Sequence, residues 1–144
     1  MSNTVKFFVA SREDAIGALE AGPGVQFPMA WFGNFDAEEA LLDWEARLCG
    51  RSFEELVEDD LPEVIAEIEE GPAIFAVSDA LADALGSASN HQIEELVRWW
   101  VAEKANDGMT IDQPIAFTIL HGLAELIIQK REIGEQVQVY CWTG

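Results

Sequence analysis

The sequence predicts a single α+β domain in which a small mixed or antiparallel sheet, containing both terminal strands, packs against several helices. Apolar residues alternate near both ends of the chain, at Val5–Ala10 and Val137–Trp142, as they do in strands. Helical apolar spacing and N-capping residues recur between these two segments. Since every strand needs hydrogen-bond partners, we expect the two end strands to share one sheet. With 144 residues, 49% of them hydrophobic, the chain suits one domain over 1–144.

The first segment after the opening strand is predicted to be helical. The strand Val5–Ala10 leads to Ser11, whose hydroxyl suits an N-cap, and the helix is expected to end at Gly22-Pro23-Gly24. The aromatic stretch Val25–Phe35 is interrupted by Pro28 and Gly33. We interpret it as irregular or as a short edge strand.

Two further capped helices follow. Asp36 begins the first, which Gly50 ends. Ser52 begins a shorter one that ends by Leu61, because the next residue is a proline. The segment Glu63–Glu70 fits both a helical and an alternating pattern, and we favour a helix.

The second half is predicted to contain a short buried strand, three helices and the last strand. The strand is Ala73–Val77, the helices are Asp79–Leu85, about Asn90–Ala105 and Gln113–Glu132, and the last strand is Val137–Trp142. The apolar stripe of the long helix comprises Ile115, Ile119, Leu123, Leu126 and Ile127. The last strand is expected to bury Val137, Val139 and Cys141 and to have an amphipathic outer face with Gln138, Tyr140 and Trp142.

Acidic residues are concentrated in one segment of the chain. Between Asp36 and Glu70, fourteen acidic residues accompany only Arg47 and Arg51, which gives −12 of the formal net charge of −19. Such a bias indicates either a solubility role or a cationic partner, and the sequence leaves both open. Eight scattered Lys and Arg residues provide no footprint for phosphates, so we expect no direct nucleic-acid binding.

Other sequence signals point to a cytoplasmic protein without a cofactor or metal. The chain begins without a signal-peptide pattern, and no apolar run approaches the ~18 residues of a membrane span. Cys49 and Cys141 show no zinc-binding spacing and are expected to act as small apolar residues. Phosphate-binding, dinucleotide-binding, calcium-binding and serine-nucleophile motifs are not found.

Two histidines and a tryptophan pair are the candidates for chemistry or recognition. His91 precedes Glu94 and Glu95 by three and four residues, but the helical zinc motifs need a second histidine. His121 lies four residues before Glu125, which suits either an oriented general base or a half-buried histidine satisfied by its neighbour. Trp99 and Trp100 are about 100° apart on their helix, so one of them should be peripheral.

The half that begins at Ala73 resembles a bacterial family. The order Ala-Ile-Phe-Ala-Val-Ser-Asp-Ala-Leu-Ala-Asp-Ala-Leu (73–85), then a helix, a turn, the long helix Ile115–Arg131 and the strand Val137–Trp142 is similar to the uncharacterised YfbM-like family. This resemblance implies an α+β fold closed by a helix and a strand. It implies no catalytic residue.

These patterns together favour a non-enzymatic, bacterial-type acidic interaction protein that engages a basic protein partner. Immunity-protein-like neutralisation of a cationic toxin or nucleic-acid-binding protein is its most concrete form. The predicted partner-binding residues are Asp43, Glu54, Glu55, Glu58, Asp59, Asp60 and Trp99. The alternative is a small-molecule-binding protein or enzyme whose pocket is formed by Trp31, Phe32, His121, Tyr140 and Trp142.

Overall fold

The computed structural model describes residues 4–33 and 35–144, which form five strands and six helices. In chain order these are β1 Thr4–Ala10, α1 Arg12–Gly17, β2 Met29–Gly33, α2 Ala37–Cys49, α3 Phe53–Asp59, β3 Val64–Glu67, β4 Ala73–Ala76, α4 Asp79–Gly86, α5 Asn90–Asn106, α6 Gln113–Ile133 and β5 Gln138–Thr143. The strands form one sheet in the order β2-β1-β5-β4-β3. Every pairing is antiparallel, and both end strands belong to the sheet, so the predicted α+β class is confirmed.

The last strand occupies the centre of the sheet. β5 pairs with β1 from Val5↔Thr143 to Ala10↔Gln138, and on its other side it pairs with β4. The ladder continues beyond the strand ends, because Thr4 and Gly144 exchange two backbone hydrogen bonds of 2.9 and 3.0 Å. The C-terminal strand therefore joins the two halves of the sheet.

One face of the sheet is covered by helices and carries the larger core. Phe7, Phe75 and Cys141 point to this side, where they are buried with residues of α2, α4, α5 and α6. At its centre Trp44 and Trp100 pack edge to face, with ring centroids 5.1 Å apart. Edge-to-face packing is a preferred arrangement for large aromatic rings and adds to the area that they bury.

The other face carries a second, smaller core. Phe8, Ile74, Tyr140 and Trp142 are buried there with residues of α1 and the segment that leads into β2. The indole Nε1–H of Trp142 donates a 2.8 Å hydrogen bond to the carbonyl of Leu19. The prediction of an amphipathic outer face on the last strand is wrong, because a distant part of the chain covers it.

Side-chain caps begin five of the helices. Ser11, Asp36, Ser52, Ser78 and Ser89 each accept a hydrogen bond from the backbone N–H three residues later. Such a cap satisfies one of the free N–H groups of the first turn and typically contributes about 1 kcal/mol. Gly50 ends α2 in the left-handed conformation, with φ 68°. The structure therefore confirms the predicted starts of the helices that begin with a side-chain cap.

Three local predictions differ from the structure. The segment Glu63–Glu70 contains strand β3, because its backbone pairs with β4 through an irregular register between Val64 and Ala66. The first helix ends at Gly17, before the predicted glycine stop. Ile115 is exposed, although the other four residues of its predicted stripe are buried.

Candidate interaction surface

Helix α3 presents the exposed carboxylates of the acidic segment. Ser52 caps the helix, and Leu56, which is fully buried, anchors it to the rest of the domain. The remaining positions face solvent. Four of these positions and the C-cap carry negative charge and constitute what we call the acidic surface: Glu54, Glu55, Glu58 and Asp59 on α3, and Asp60.

Large apolar side chains are exposed along the same segment. They are between 37% and 52% exposed and form what we call the apolar row: Phe53, Val57, Leu61, Val64 and Ile68. Phe53 and Val57 are four residues apart on α3 and therefore share a side of the helix. An exposed apolar set bordered by charged residues is typical of a protein–protein contact region.

Only part of the negative charge is balanced within the domain. Arg51 approaches Asp60 at 2.6 Å and Glu55 at 3.5 Å, and Arg12 approaches Glu63 at 2.7 Å. Glu54 and Glu58 form no ion pair within residues 4–33 and 35–144. Water screens exposed ion pairs of this kind, so each contributes little to stability. The carboxylates therefore remain accessible to external cations.

A groove of about 470 Å³ lies between α2, the start of α3 and α5. Five carboxylates, three cationic side chains and two aromatic rings line it, together with Ala46: Glu39, Asp43, Glu54, Glu103, Asp107, Arg47, Arg51, Lys104, Phe53 and Trp99. Because Phe53 and Glu54 belong to α3, this groove adjoins the acidic surface.

Lys104 forms the floor of the groove and joins α5 to α2. Its side chain is 8% exposed, and its Nζ lies 2.5 Å from Glu39 Oε1 and 2.7 Å from Asp43 Oδ2. Burial, together with the nearby carboxylates of Glu39 and Asp107, raises the pKa of Asp43 despite the opposing effect of Lys104. Burial lowers the pKa of Lys104, but hydrogen bonding and charge attraction from Asp43 and Glu39 together outweigh it, so the pKa is raised. The ammonium group therefore stays charged and is occupied by internal partners.

Trp99 lies at the wall of the groove, whereas its neighbour Trp100 is buried in the core. This division confirms the prediction that one of the two is peripheral. The guanidinium carbon of Arg47 lies 5.4 Å from the centre of a Trp99 ring, in a cation–π contact. The ring thus already accommodates one guanidinium at the groove.

The structure brings together some of the predicted partner-binding residues. Asp43, Glu54 and Trp99 line the groove, but Glu55, Glu58, Asp59 and Asp60 lie outside it on α3 and at its C-cap. Another carboxylate of the acidic segment, Glu45, is buried and accepts a hydrogen bond from the Ser78 hydroxyl, which links α2 to the cap of α4. Acidity within the segment is therefore divided between surface and structural roles.

Sequence reasoning missed the apolar row and the contribution of Lys104. The apolar row had a signal, since Phe53 and Val57 recur four residues apart on a short helix that buries Leu56. Lys104 had none, because it is 65 residues from Glu39 and only the packing of α5 on α2 brings them together.

The five residues of the alternative pocket do not share a cavity. Tyr140 and Trp142 are buried on the face of the sheet opposite the main helices, and Trp31 is 65% exposed at an edge strand. Phe32 packs on the helical side, where it lies against Gly122 of α6. The sheet separates the two groups, so the prediction of one pocket containing all five is wrong.

The histidines lie at the surface in pairs with glutamate. His121 Nδ1 is 3.7 Å from Glu125 Oε1, and its ring stacks on Phe117 with centroids 5.5 Å apart. Phe117 lines a groove of about 700 Å³ between α5 and α6, but His121 does not. His91 Nε2 is 3.1 Å from Glu95 Oε1, with both side chains mostly exposed.

The two thiols are shielded to different degrees. Cys141 is fully buried in the sheet, and burial raises the pKa of its thiol well above the usual range. Burial and the nearby Glu45 also raise the pKa of Cys49, whose Sγ contacts the carbonyl of Ala80 at 3.7 Å. Raised pKa values disfavour the reactive thiolate form.

The described residues contain neither a metal-binding cluster nor a membrane-spanning helix. Within residues 4–33 and 35–144, no three His, Cys, Asp or Glu side chains are grouped so that they could hold a metal ion. None of the helices in this part of the chain has the length and apolar character needed to cross a bilayer. Comparison with family models, curated proteins and solved structures finds no match. The resemblance to the YfbM-like family stays a prediction.

Proposed function

We propose that this chain is a non-enzymatic, cytoplasmic interaction protein whose acidic surface engages a basic protein partner, in the manner of an immunity protein. The observation that supports this most is the coincidence of exposed carboxylates and exposed apolar side chains along residues 53–68. If this surface served solubility alone, exposed apolar side chains such as those of Val57 and Leu61 would add nothing to that role.

The two kinds of side chain have separate roles in the proposed complex. The carboxylates attract a cationic partner over long range and raise the association rate. The apolar row and the adjoining Trp99 are buried on contact and slow dissociation. Since Lys104 is occupied by Glu39 and Asp43, it does not oppose an incoming cation as a free ammonium group would.

The groove provides a place for a cationic side chain of the partner. Glu54 forms no ion pair within the described residues, and the Trp99 ring lines the same groove. A guanidinium prefers such planar surroundings of carboxylate and aromatic ring. We therefore expect the partner to insert arginine more readily than lysine.

The test measures association kinetics with a synthetic amphipathic peptide of alternating lysine and leucine. Replacement of Glu54, Glu55, Glu58 and Asp59 by their amides should slow association about tenfold, because steering depends on local charge. A second variant, with Val57→Ser and Leu61→Ser, should instead raise the dissociation rate.

The matched control removes the same number of charges elsewhere. Asp83, Glu94, Glu125 and Glu132 are exposed on α4, α5 and α6, and their amide variants should retain the association rate within about twofold. An equal loss in both charge variants would mean that the peptide senses net charge only. That result, or a dissociation rate unaffected by the serine variant, would contradict the proposed surface.

A further inference from the structure

The edge strand β2 lies at the opposite end of the sheet from the other edge strand, β3. It belongs to the longest uncharged part of this acidic chain, residues 21–35. Trp31 in this strand is 65% exposed. Edge strands are usually protected from pairing by charged side chains, and β2 has none. A strand edge without charged side chains therefore lies within the longest uncharged part of the sequence.

The backbone of β2 is arranged to accept another strand. Val9 N–H donates to the carbonyl of Pro28 at 3.0 Å, so Pro28 occupies a hydrogen-bonded position opposite β1. Hydrogen-bonded and non-hydrogen-bonded positions alternate in an antiparallel pair. The N–H and C=O groups of Met29 and Trp31 consequently point away from β1, and no strand of the described residues pairs with them.

We propose that β2 pairs antiparallel with β2 of a second copy, about a two-fold axis at Ala30. Met29 and Trp31 then exchange backbone hydrogen bonds with Trp31 and Met29 of the other molecule, which gives two self-complementary pairs. Directly opposed residues project to the same face of a sheet, so each exposed Trp31 side chain packs on the opposing Met29. Two five-stranded sheets become one.

Electrostatics select a second copy rather than a basic partner at this edge. β2 offers no carboxylate to a cationic protein, whereas two copies of a chain with charge −19 repel one another through any acidic face. Pairing at β2 separates the two β3 edges by nine strand spacings, about 43 Å, far more than the screening length of about 8 Å at physiological salt. This inference does not depend on the proposed function of the acidic surface.

The test is sedimentation of the full chain at concentrations from about 1 μM to about 1 mM, with variants at the strand edge. Met29→Pro removes an outward N–H without removing a hydrogen bond to β1, and Trp31→Lys places like charges across the axis. Each is expected to weaken dimerisation at least ~10-fold. Val25→Lys is the control, because Val25 is 95% exposed in the same uncharged segment but lies outside β2.

Salt provides an independent readout. Sodium chloride should strengthen the β2 dimer by screening repulsion between acidic molecules, whereas it should weaken binding of a basic partner. Circular dichroism verifies that the variants are folded, and Trp31→Lys decides the test if Met29→Pro is not. A monomer at every concentration would overturn the proposal. So would a dimer that Trp31→Lys leaves intact, or one that Val25→Lys weakens equally.

Discussion

The charge of Lys104 links helix α5 to helix α2. Its nearly buried ammonium group contacts Glu39 on the first turn of α2 and Asp43 one turn later. Lys104→Met should lower the free energy of unfolding by about 2–3 kcal/mol, because it leaves Asp43 buried without its cation. The value is at the low end for a broken buried pair, since Glu39 is partly exposed. Urea unfolding of the two proteins measures the difference.

The matched control for Lys104 is an exposed ion pair. Arg12 and Glu63 lie 2.7 Å apart with both side chains more than half exposed. Arg12→Met should change the free energy of unfolding by no more than about 0.5 kcal/mol, because water screens such a pair. Equal effects of the two substitutions would show that Lys104 does not act through a buried pair.

Asp43 predicts a pH dependence of defined sign. Because burial raises its pKa in the folded state, the folded protein binds this proton more tightly than the unfolded chain does. Its contribution to stability is therefore greatest below the ordinary value of 3.8 and is lost as the pH rises through the raised pKa. The stability of the wild type relative to Asp43→Asn should increase as the pH falls from neutrality towards that range. Thermal unfolding of both proteins over this range is the measurement, and an increase in the opposite direction would contradict it.

At the scale of elements, β5 holds the sheet together. It lies between β1 and β4, and both of its faces are buried. Deletion of residues 137–144 should abolish cooperative unfolding, because it exposes both cores and leaves β1 and β4 each with one unpaired edge. Deletion of Gly144 alone is the control, since it removes only the two hydrogen bonds to Thr4 and should leave a cooperative transition. A cooperative thermal transition in the longer deletion would rule out this role.

The elements that the sequence predicts well are those specified by neighbouring residues. Ser52 and Ser78 cap helices through backbone groups three residues away, so local sequence contains the signal. In the segment Glu63–Glu70, by contrast, the neighbouring residues do not specify the secondary structure. Its strand forms because β4 provides hydrogen bonds, and both helical and alternating apolar patterns are compatible with Val64–Ile68.

The candidate site shows the same division between local and distant causes. The exposure of Glu54, Glu55 and Glu58 follows from a short helix that buries only Leu56, and was predictable. The burial of Tyr140 and Trp142 was not, because residues more than a hundred positions earlier, including Leu19, cover them. Whether an outward-facing side chain of a strand is buried depends on which segment of the chain packs over that face.

At the scale of the whole molecule, the two edge strands of the sheet come from parts of the sequence with different charge. The acidic segment supplies the exposed carboxylates of α3 and also the edge strand β3, which lies at one end of the sheet. The uncharged β2 lies at the other end. In the two complexes that we propose, a cationic partner binds the acidic surface and a second copy binds the uncharged strand, so the two contacts use different parts of the molecule.

Self-repulsion among the carboxylates should also make the stability of the domain depend on salt. The formal charge of −19 opposes the compact state, and sodium chloride screens this repulsion. Raising the salt from a few millimolar to ~0.15 M should increase the free energy of unfolding by about 1 kcal/mol, or the melting temperature by roughly 3–4 °C. The variant in which Glu54, Glu55, Glu58 and Asp59 are amides should be more stable at low salt and respond less to added salt, because its carboxylates repel one another less. Differential scanning calorimetry of both proteins at the two salt concentrations measures this, and a wild type that salt leaves unchanged would mean that the acidic surface exerts no net repulsion on the fold.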